Sequence, residues 1–521
     1  MTTRRIVVSR RASARLATSL RSCRIAVGSG CLLGVVAGYA PAQLISIKTV
    51  PVAQADQFEI FPSDNRGMAG VSIALPDTLL DPFVNPATTA RLRGAYFFGA
   101  PAFYSMSHRS GGGRTLPVGA LVGSRSWYGG LALALQEIEP GGDGTPVFRP
   151  VPPNVDVGRG LVVHSPRESH QNTMAVGIVG KAFPEAKLSI GGSLQWARLN
   201  AIDGVDLLYA GSRGIEQFGH LLDLRLGMLK EWAADRSLQA VVVHNRFRMT
   251  HDVTYVDFLW DPIQGQPVEH PRLEHNLDRT NTWGAHLEYA RPLASSGWRV
   301  GGVVTGNVLS HPKIPNYEIM SIPRDPGRSF AYNFGLGVSR ANDSTTFAVD
   351  AVYEPIWSNT WAEAAGPVET RSGGTIPAGG KTIDNHFRFS NTVLRLGVGQ
   401  DMALGGRSRA AGLQLGIALR SVHYWLDQYD NVEGTARGQE VRWREWTPTW
   451  GLSLRFPSME IQYRGRVTTG TGRPGVANQG GPVFLDAVSA GANIIAAPSG
   501  PMTLDNVKVA THQLSVSLPL R

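Results

Sequence analysis

The feature that most constrains this chain is a repeated alternation of apolar and polar residues. In Gly412–Arg420, four aliphatic side chains alternate with glycine, alanine, glutamine and arginine. The same period of two recurs in Leu222–Met228, Phe330–Val338 and Trp450–Phe456. A period of two is typical of β-strands whose two faces meet different surroundings. The chain is therefore predicted to be all-β.

The polar face of these strands distinguishes a membrane barrel from a soluble sandwich. In a soluble sandwich this face would meet water and carry many Lys, Glu and Thr side chains. Here it carries mostly Gly, Ala, Ser, Gln and Asn. Such a face, opposite a continuous apolar one, is typical of a barrel with lipid outside and an aqueous or plugged lumen. Residues 43–521 contain no apolar run long enough for a membrane helix, so only a closed barrel would let them span a bilayer.

The lengths of the connections indicate the same architecture. The alternation predicts sixteen strands, at 91–108, 115–124, 127–138, 172–183, 187–199, 218–232, 236–252, 281–292, 297–309, 328–340, 345–357, 385–401, 409–425, 445–456, 459–469 and 507–521. Short turns alternate with long segments at 139–171, 200–217, 253–280, 310–327, 358–384, 426–444 and 470–506. Outer-membrane barrels combine short periplasmic turns with long outer loops in this way. We therefore predict an antiparallel transmembrane β-barrel of about 14–16 strands over residues 91–521.

Aromatic residues cluster near the ends of the predicted strands. Girdles of amphipathic rings lie at both membrane interfaces of such barrels. We interpret these residues as girdle residues, with ordinary packing at loop bases as the alternative: Tyr96, Phe97, Phe98, Phe103, Tyr104, Trp127, Tyr128, Trp357, Trp361, Tyr424, Trp425, Trp443, Trp446 and Trp450.

The N-terminal residues predict a signal peptide over residues 1–42. Residues 1–24 contain seven arginines and no acidic residue, residues 25–42 are uncharged, and the stretch ends in Ala40-Pro41-Ala42. A basic start, an apolar middle and a small-x-small end are typical of a secretory signal peptide. We expect cleavage near Ala42 and export to the outer membrane of a Gram-negative-type bacterium.

Cleavage would change the charge and the cysteine content of the chain. The formal charge of +9 comes from 50 Lys and Arg against 41 Asp and Glu, and loss of the seven arginines leaves 43 against 41. The high pI therefore predicts no nucleic-acid partner. Both cysteines, Cys23 and Cys31, lie in the same segment. The remaining chain offers no cysteine nucleophile and no cysteine-based metal site.

The segment before the first strand differs from the barrel pattern. Gly67-Met68-Ala69-Gly70 leads through Asp77 and Asp81 to Asn85-Pro86-Ala87, directly before the strand that begins near Arg91. Residues 64–138 resemble the FadL-type family of outer-membrane long-chain fatty-acid transporters, in which a similar segment forms an N-terminal plug. The resemblance implies a plug over residues 43–90, with Gly67, Gly70, Asp77, Asn85, Pro86 and Ala87 as its motif. The family has fourteen strands, fewer than the sixteen predicted here.

The residue types of this motif suit a plug on physical grounds. Glycines at 67 and 70 would permit close crossing of backbones inside a barrel. Pro86 fixes its own φ and favours an extended Asn85. The Asn85 amide can bond neighbouring backbone groups in a turn.

Charged side chains on the polar face of the strands are candidate ligand residues. The candidates are Arg225, Arg395, Arg420, Arg455 and Arg464, beside the acidic Asp223, Asp350 and Glu354. A lumen arginine could receive the carboxylate of a fatty-acid-like ligand through a bidentate contact. The alternative is a structural role, because buried charges need partners and could form salt bridges that anchor the plug.

No constellation in the sequence requires catalysis. Residues 43–521 contain neither a Gly-x-Ser-x-Gly motif nor a phosphate-binding loop. His270 and His275 would need imidazoles turned to one point to bind a metal, and Pro271 excludes the helix that would align them. We predict no enzyme activity, no cofactor and no metal site. A lumen Ser/His pair formed across strands stays open as an alternative.

Three functions are compatible with these observations. The first is a channel for passive uptake of hydrophobic molecules such as long-chain fatty acids, with outer-membrane lipid and a hydrophobic small molecule as partners. The second is a barrel that acts as a scaffold or shuttle for exported proteins and binds a protein partner. The third is a structural barrel without transport.

Overall fold

The computed structural model describes residues 57–107, 111–139, 170–202, 214–232, 235–261, 263–293, 296–310, 327–364, 366–404, 410–475 and 503–520. The expected signal peptide lies outside these residues, as do residues 43–56 and most of the connections at 139–171, 200–217, 310–327 and 470–506. The described strands are β1 (Gly94–Gly99), β2 (Ala102–Met106), β3 (Gly112–Gly123), β4 (Trp127–Glu139), β5 (His170–Phe183), β6 (Leu188–Leu199), β7 (Gly214–Glu231), β8 (Ser237–Asp261), β9 (Gln266–Pro292), β10 (Trp298–Ser310), β11 (Gly327–Ala341), β12 (Thr345–Glu363), β13 (Val368–Glu369), β14 (Thr375–Ile376), β15 (Lys381–Ala403), β16 (Ala410–Asp430), β17 (Thr435–Arg455), β18 (Glu460–Gly475) and β19 (Thr503–Leu520).

The strands close into one antiparallel barrel. β1 and β2 both pair with β3 on one side and with β19 on the other, so they are two parts of one interrupted strand. Every other barrel strand pairs with its sequence neighbours, and β12 pairs with β15 because β13 and β14 form a separate small hairpin. The barrel thus has sixteen strands. The prediction of an all-β, antiparallel barrel of 14–16 strands is confirmed.

The two faces of each strand differ as the sequence predicts. On β4, Leu131, Leu133 and Leu135 are 72%, 58% and 62% exposed, whereas the alternating Ala132 and Ala134 are buried. Exposed apolar side chains recur on the same face of the other barrel strands. A soluble monomer does not expose so continuous an apolar surface, so this band requires lipid. No helix in the described part of the chain is long and apolar enough to span a membrane.

Two predicted outer connections are instead largely strand. β8 and β9 continue until only residues 262–265 separate them, and β16 and β17 until only 431–434 do. The segments 253–280 and 426–444 were therefore wrongly predicted as loops. Both turns are tight, with φ of 63° at Gly265 and 67° at Gly434. Because these extensions lie beyond the apolar band, they lack the alternation that marks a membrane strand. Most of 358–384 likewise belongs to β12, β15 and the β13–β14 hairpin.

The aromatic residues divide between the two faces of the wall. Trp127, Trp357, Trp425 and Trp446 are exposed on the lipid face, as a girdle requires. Others lie on the inner face and are buried, contrary to the girdle interpretation: Phe98, Tyr104, Tyr128, Tyr424 and Trp443. Side chains one residue apart on a strand point to opposite faces, which separates Tyr424 from Trp425.

The N-terminal segment, residues 57–93, contains little regular structure. It has a 3-10 turn at Arg66–Met68, the one-turn helix α1 (Asp81–Val84) and a second 3-10 turn at Pro86–Arg91. It contacts inner-face residues of strands on several sides of the barrel. The segment therefore lies within the lumen.

Candidate functional site in the barrel lumen

The first 3-10 turn of the N-terminal segment is held by one wall hydroxyl. Thr449 Oγ1 accepts a hydrogen bond from Ala69 N at 2.9 Å and donates one to Gly67 O at 2.9 Å. Gly67 is buried so closely that a Cβ there would lie 2.5 Å from Gln414 Oε1 and 2.9 Å from Gly451 Cα. Gly67 therefore permits the close crossing that the sequence predicts.

At position 70, glycine is required by the backbone conformation and not by close packing. No atom would lie within 4 Å of a Cβ at this position, so close approach is not the constraint. Its φ is 69°, and the preceding Ala69 has a φ of 60°. Glycine occupies this left-handed region without strain. The requirement at Gly70 is therefore conformational, in contrast to the close crossing expected there.

The next part of the segment runs across the inner face of β11 and β12. Asp350 Oδ2 accepts hydrogen bonds from Ser72 N at 2.7 Å and from Ile73 N at 3.3 Å. Ser339 Oγ donates to Ala74 O at 2.8 Å. These contacts give the backbone of the N-terminal segment hydrogen-bond partners on the wall, including the buried Ile73 and Ala74. Asp350 thus anchors the N-terminal segment.

Glycines in the wall provide the space for this crossing. A Cβ at Gly301 would lie 2.2 Å from Ile73 O, and one at Gly337 would lie 2.6 Å from Ile73 Cβ. A Cβ at Gly397 would lie 2.4 Å from Met68 Cβ. The glycine-rich inner face therefore seats the N-terminal segment closely.

Asp77 organises the turn that follows. Its carboxylate accepts hydrogen bonds from Ser63 Oγ at 2.5 Å and from the backbone N–H groups of Asp64, Asn65 and Leu80 at 2.8, 3.2 and 3.1 Å. Burial, followed by the nearby negative charge of Asp64, raises the pKa of Asp77, and the hydrogen bonds only partly offset this.

Asp81 lies beside this turn and is linked to it. Its carboxylate accepts a hydrogen bond from Asp77 N at 2.9 Å. Burial and then the charge of Asp77 raise the pKa of Asp81 well above its usual value. The two carboxyl groups therefore disfavour simultaneous ionisation.

Asn85, Pro86 and Ala87 form the junction with the opposite wall. Asn85 Oδ1 accepts from Ala87 N at 3.1 Å, which caps the second 3-10 turn. Asn85 Nδ2 donates to Met228 O at 3.2 Å and to Gln239 Oε1 at 2.9 Å. Asn85, Pro86 and Ala87 are all buried. All six residues of the predicted motif thus lie in the N-terminal segment inside the lumen.

Two of the five candidate arginines hold the N-terminal segment. Arg225 Nε contacts Asp223 Oδ1 at 2.7 Å, while its Nη1 donates to Phe83 O at 2.9 Å and Val84 O at 3.1 Å. Arg464 Nη2 donates to Asp64 O at 3.2 Å. These contacts give Arg225 and Arg464 the structural role that the sequence left as an alternative.

The other three candidates differ in their surroundings. Arg420 Nη1 contacts Glu354 Oε2 at 3.1 Å inside the lumen. Arg455 lies at the short-turn end of β17, half-exposed, where its Nη2 contacts Glu460 Oε1 at 3.2 Å. Arg395 lines the lumen cavity and, among the described residues, forms no ion pair or hydrogen bond through its guanidinium.

A cavity of about 1420 Å³ lies between the N-terminal segment and the wall. It extends from residues at the short-turn end, such as Lys187, to the middle of the barrel. Its wall near Arg395 includes the apolar Val303, Val352 and Val393. The nearest carboxylate is that of Asp350, the cross-strand neighbour of Arg395, which already accepts hydrogen bonds from the N-terminal segment. The cavity therefore combines apolar surface with a guanidinium that forms no direct hydrogen bond or ion pair among the described residues.

A buried apolar cluster lines the lumen farther from the short turns. Its members are Ala331, Ile356, Phe387, Phe389, Val422, Tyr424, Leu426 and Trp443. Trp443 Nε1 donates to Glu445 Oε1 at 3.3 Å, and Glu445 in turn lines the cavity. The cluster was missed in the sequence although a signal exists. Phe389 is an even number of residues from Arg395, so both must share the lumen face.

Among the described residues, no group of three or more His, Cys, Asp or Glu side chains is arranged to hold a metal ion. His270 and His275 both lie on β9, and His275 Nδ1 contacts Asp252 Oδ1 at 2.5 Å.

Fold and lumen together define a lipid-embedded β-barrel whose N-terminal segment is bound inside. No protein-family model matches the chain, and no curated protein matches it. Among solved structures, a Pseudomonas aeruginosa FadL homologue is similar with 10% identity and a TM-score of 0.45, covering 88% of this chain and 99% of its own. The Pseudomonas putida toluene transporter TodX has 12% identity and a TM-score of 0.38, with 88% and 97% covered.

A bacterial polysaccharide outer-membrane secretin has the same TM-score of 0.38, with 5% identity and 82% and 99% covered. The family that residues 64–138 resemble is thus among the structural neighbours.

Proposed function

We propose that this chain is an outer-membrane channel for passive uptake of hydrophobic molecules, with long-chain fatty acids as the substrate class. The N-terminal segment would act as a plug whose displacement opens the lumen. No chemical step is needed, because differential burial of apolar surface can hold and release such a molecule.

The observation that carries this proposal is the cavity between the N-terminal segment and the wall. Its volume of about 1420 Å³ exceeds the range of roughly 300–1,000 Å³ that is usual for small-molecule pockets. The apolar cluster lies beyond it, toward the long connections, so apolar surface is available along much of the lumen. A structural barrel without transport has no need for such a space.

Arg395 would receive the carboxylate of the ligand. Its guanidinium faces the cavity, and among the described residues its charge has no hydrogen-bonded partner. A guanidinium binds a carboxylate through two parallel hydrogen bonds. The nearby Val352 and Val393 would contact the first methylenes of an alkyl chain.

The test is binding of a long-chain fatty acid to the full chain in detergent, with the matching fatty alcohol as an uncharged analogue. Arg395→Gln should weaken binding of the acid about tenfold, as loss of a charge-assisted pair does, and leave the alcohol unchanged. Arg455→Gln is the matched control, because Arg455 already pairs with Glu460 at the rim. Equal binding of the acid by wild type and Arg395→Gln would overturn the role of Arg395. Absence of any acid or alcohol binding, with an intact protein partner co-purified instead, would favour the scaffold function.

A further inference from the structure

Four basic residues form a continuous row across the outer surface of β6–β9. Arg198 is the direct cross-strand neighbour of His220, His220 of Arg248, and Arg248 of Arg279. All four side chains are exposed, and they alternate with buried lumen residues such as Leu221. The row therefore lies on the outward face of the barrel.

This row brings like charges close together, and no carboxylate of the described residues forms an ion pair with it. Directly opposed side chains on adjacent strands have Cβ atoms only about 5 Å apart, and like charges there are destabilising. Among the described residues, none of the three arginines or His220 forms an ion pair. Arg246, two residues from Arg248 on the same face, is also exposed and adds a further positive charge.

The nearest carboxylates on this face lie farther from the membrane. Glu216 and Asp252 are direct neighbours of each other, four residues beyond the row. Asp252 is already bound to His275, with Nδ1 to Oδ1 at 2.5 Å. Within the described part of the chain, these two carboxylates do not pair with the row, so its charge is open to an anion from the membrane.

The row borders the lipid-facing apolar band. Four residues toward the short-turn end, β6, β7 and β9 carry Leu194, Leu224 and Trp283 on the outward face, all exposed, and β8 carries His244. Arg198 lies over the Phe218 ring at 5.8 Å from the guanidinium carbon to the ring centroid. In membrane proteins, aromatic and basic residues at the edge of the apolar band lie at the level of the lipid headgroups.

We propose that this row, Arg198–His220–Arg248–Arg279, binds the phosphate groups of a lipid headgroup in the leaflet on the side of the long connections. A phosphate offers several anionic oxygens to adjacent guanidinium groups, and arginine binds it bidentately. The acyl chains of the same lipid would pack against the apolar band below. The site is separate from the lumen and does not depend on the proposed transport.

The test compares the full chain with the triple variant Arg198→Gln/Arg248→Gln/Arg279→Gln. The matched control is Arg328→Gln/Arg388→Gln/Arg444→Gln. Those three arginines are also exposed on the outward face, but their cross-strand neighbours are neutral, for example Asn359 for Arg328. Both variants lose three positive charges, so a difference in lipid binding between them is due to the row and not to net charge.

Retention of diphosphorylated lipid A is measured by native mass spectrometry in neutral detergent. The row variant should bind it at least about tenfold more weakly than wild type, and the control less than about twofold more weakly. Inorganic phosphate at millimolar concentration should not displace the lipid, because it lacks acyl chains. Displacement by phosphate alone would show that the row binds a free anion, and it would overturn the proposal that the bound phosphate belongs to a lipid.

Thermal unfolding provides an independent measurement. Without added lipid, the row variant should unfold at a temperature equal to or higher than wild type, because mutual repulsion has been removed. Added lipid A should raise the unfolding temperature of wild type and of the control, but not of the row variant. Equal lipid retention and equal stabilisation in all three proteins would overturn the proposal.

Discussion

At the residue scale, the arginines of the lumen face have different roles. Arg225 and Arg464 bind backbone carbonyls of the N-terminal segment, Arg420 pairs with Glu354, and Arg395 faces the cavity. The sequence placed these residues on the lumen face but did not separate their roles. Their partners come from the register between strands and from the path of the N-terminal segment, neither of which a period of two specifies.

The paired carboxyl groups give a prediction at the same scale. Asp81→Asn keeps an oxygen that can accept the Asp77 N–H and removes the buried charge. Because the pKa of Asp81 is raised, its ionisation costs stability above that pKa, and the cost disappears as the pH falls toward the usual aspartate range. Asp81→Asn should therefore slow hydrogen exchange of residues 64–80 at pH 7.5. At pH 4 it should have little effect, after correction for intrinsic exchange rates.

Asp77→Asn is the informative comparison. Both Asp77 carboxylate oxygens accept hydrogen bonds, and an amide nitrogen cannot accept those of Ser63 and Asn65. This variant should destabilise the turn by about 1–3 kcal/mol, the usual cost of leaving buried polar groups unpaired. If Asp81→Asn speeds exchange at pH 7.5 as much as Asp77→Asn does, burial of the Asp81 charge is not unfavourable.

At the element scale, the strands follow from the alternation and the extended hairpins do not. Leu131, Leu133 and Leu135 identify β4 because lipid on one side and lumen on the other impose opposite requirements. Beyond the apolar band, the outer face meets water and no longer requires apolar side chains. This applies to the extended parts of β8, β9, β16 and β17. The turns at Gly265 and Gly434 were the remaining signal for these hairpins.

The seating of the N-terminal segment against β10 gives the second prediction. In Gly301→Ala, the new Cβ would meet Ile73 O at 2.2 Å, and that backbone cannot move without straining its hydrogen bonds to Asp350. Such overpacking costs about 1–3 kcal/mol. The variant should expose residues 66–75 to added protease and raise the conductance of the barrel in a planar bilayer.

Gly302→Ala is the control for this substitution. It is the next residue on the same strand, faces outward, and its Cβ would lie 3.6 Å from Leu336 Cδ2, an ordinary contact. It should match wild type in both measurements. If Gly301→Ala also matches wild type, the contact with Ile73 does not hold the N-terminal segment in place.

At the scale of the whole molecule, the barrel wall holds the N-terminal segment in the lumen and determines the cavity beside it. The wall binds the segment through scattered side chains such as Thr449 and Asp350, with the cavity remaining beside it. The sequence indicated a segment with glycines and an Asn-Pro-Ala motif before the first strand. It could not give the volume left in the lumen, because that volume depends on how residues far apart in the chain pack together.

Uptake of labelled long-chain fatty acid tests the central claim most directly. The chain is expressed in bacterial cells that lack their own outer-membrane transporter for such acids, with an unrelated folded barrel as the control. The account predicts that cells with this protein take up the acid several-fold faster than the control cells, and that Gly301→Ala, but not Gly302→Ala, alters the rate. Uptake equal to the control, with the protein shown to be folded in the outer membrane, would contradict it.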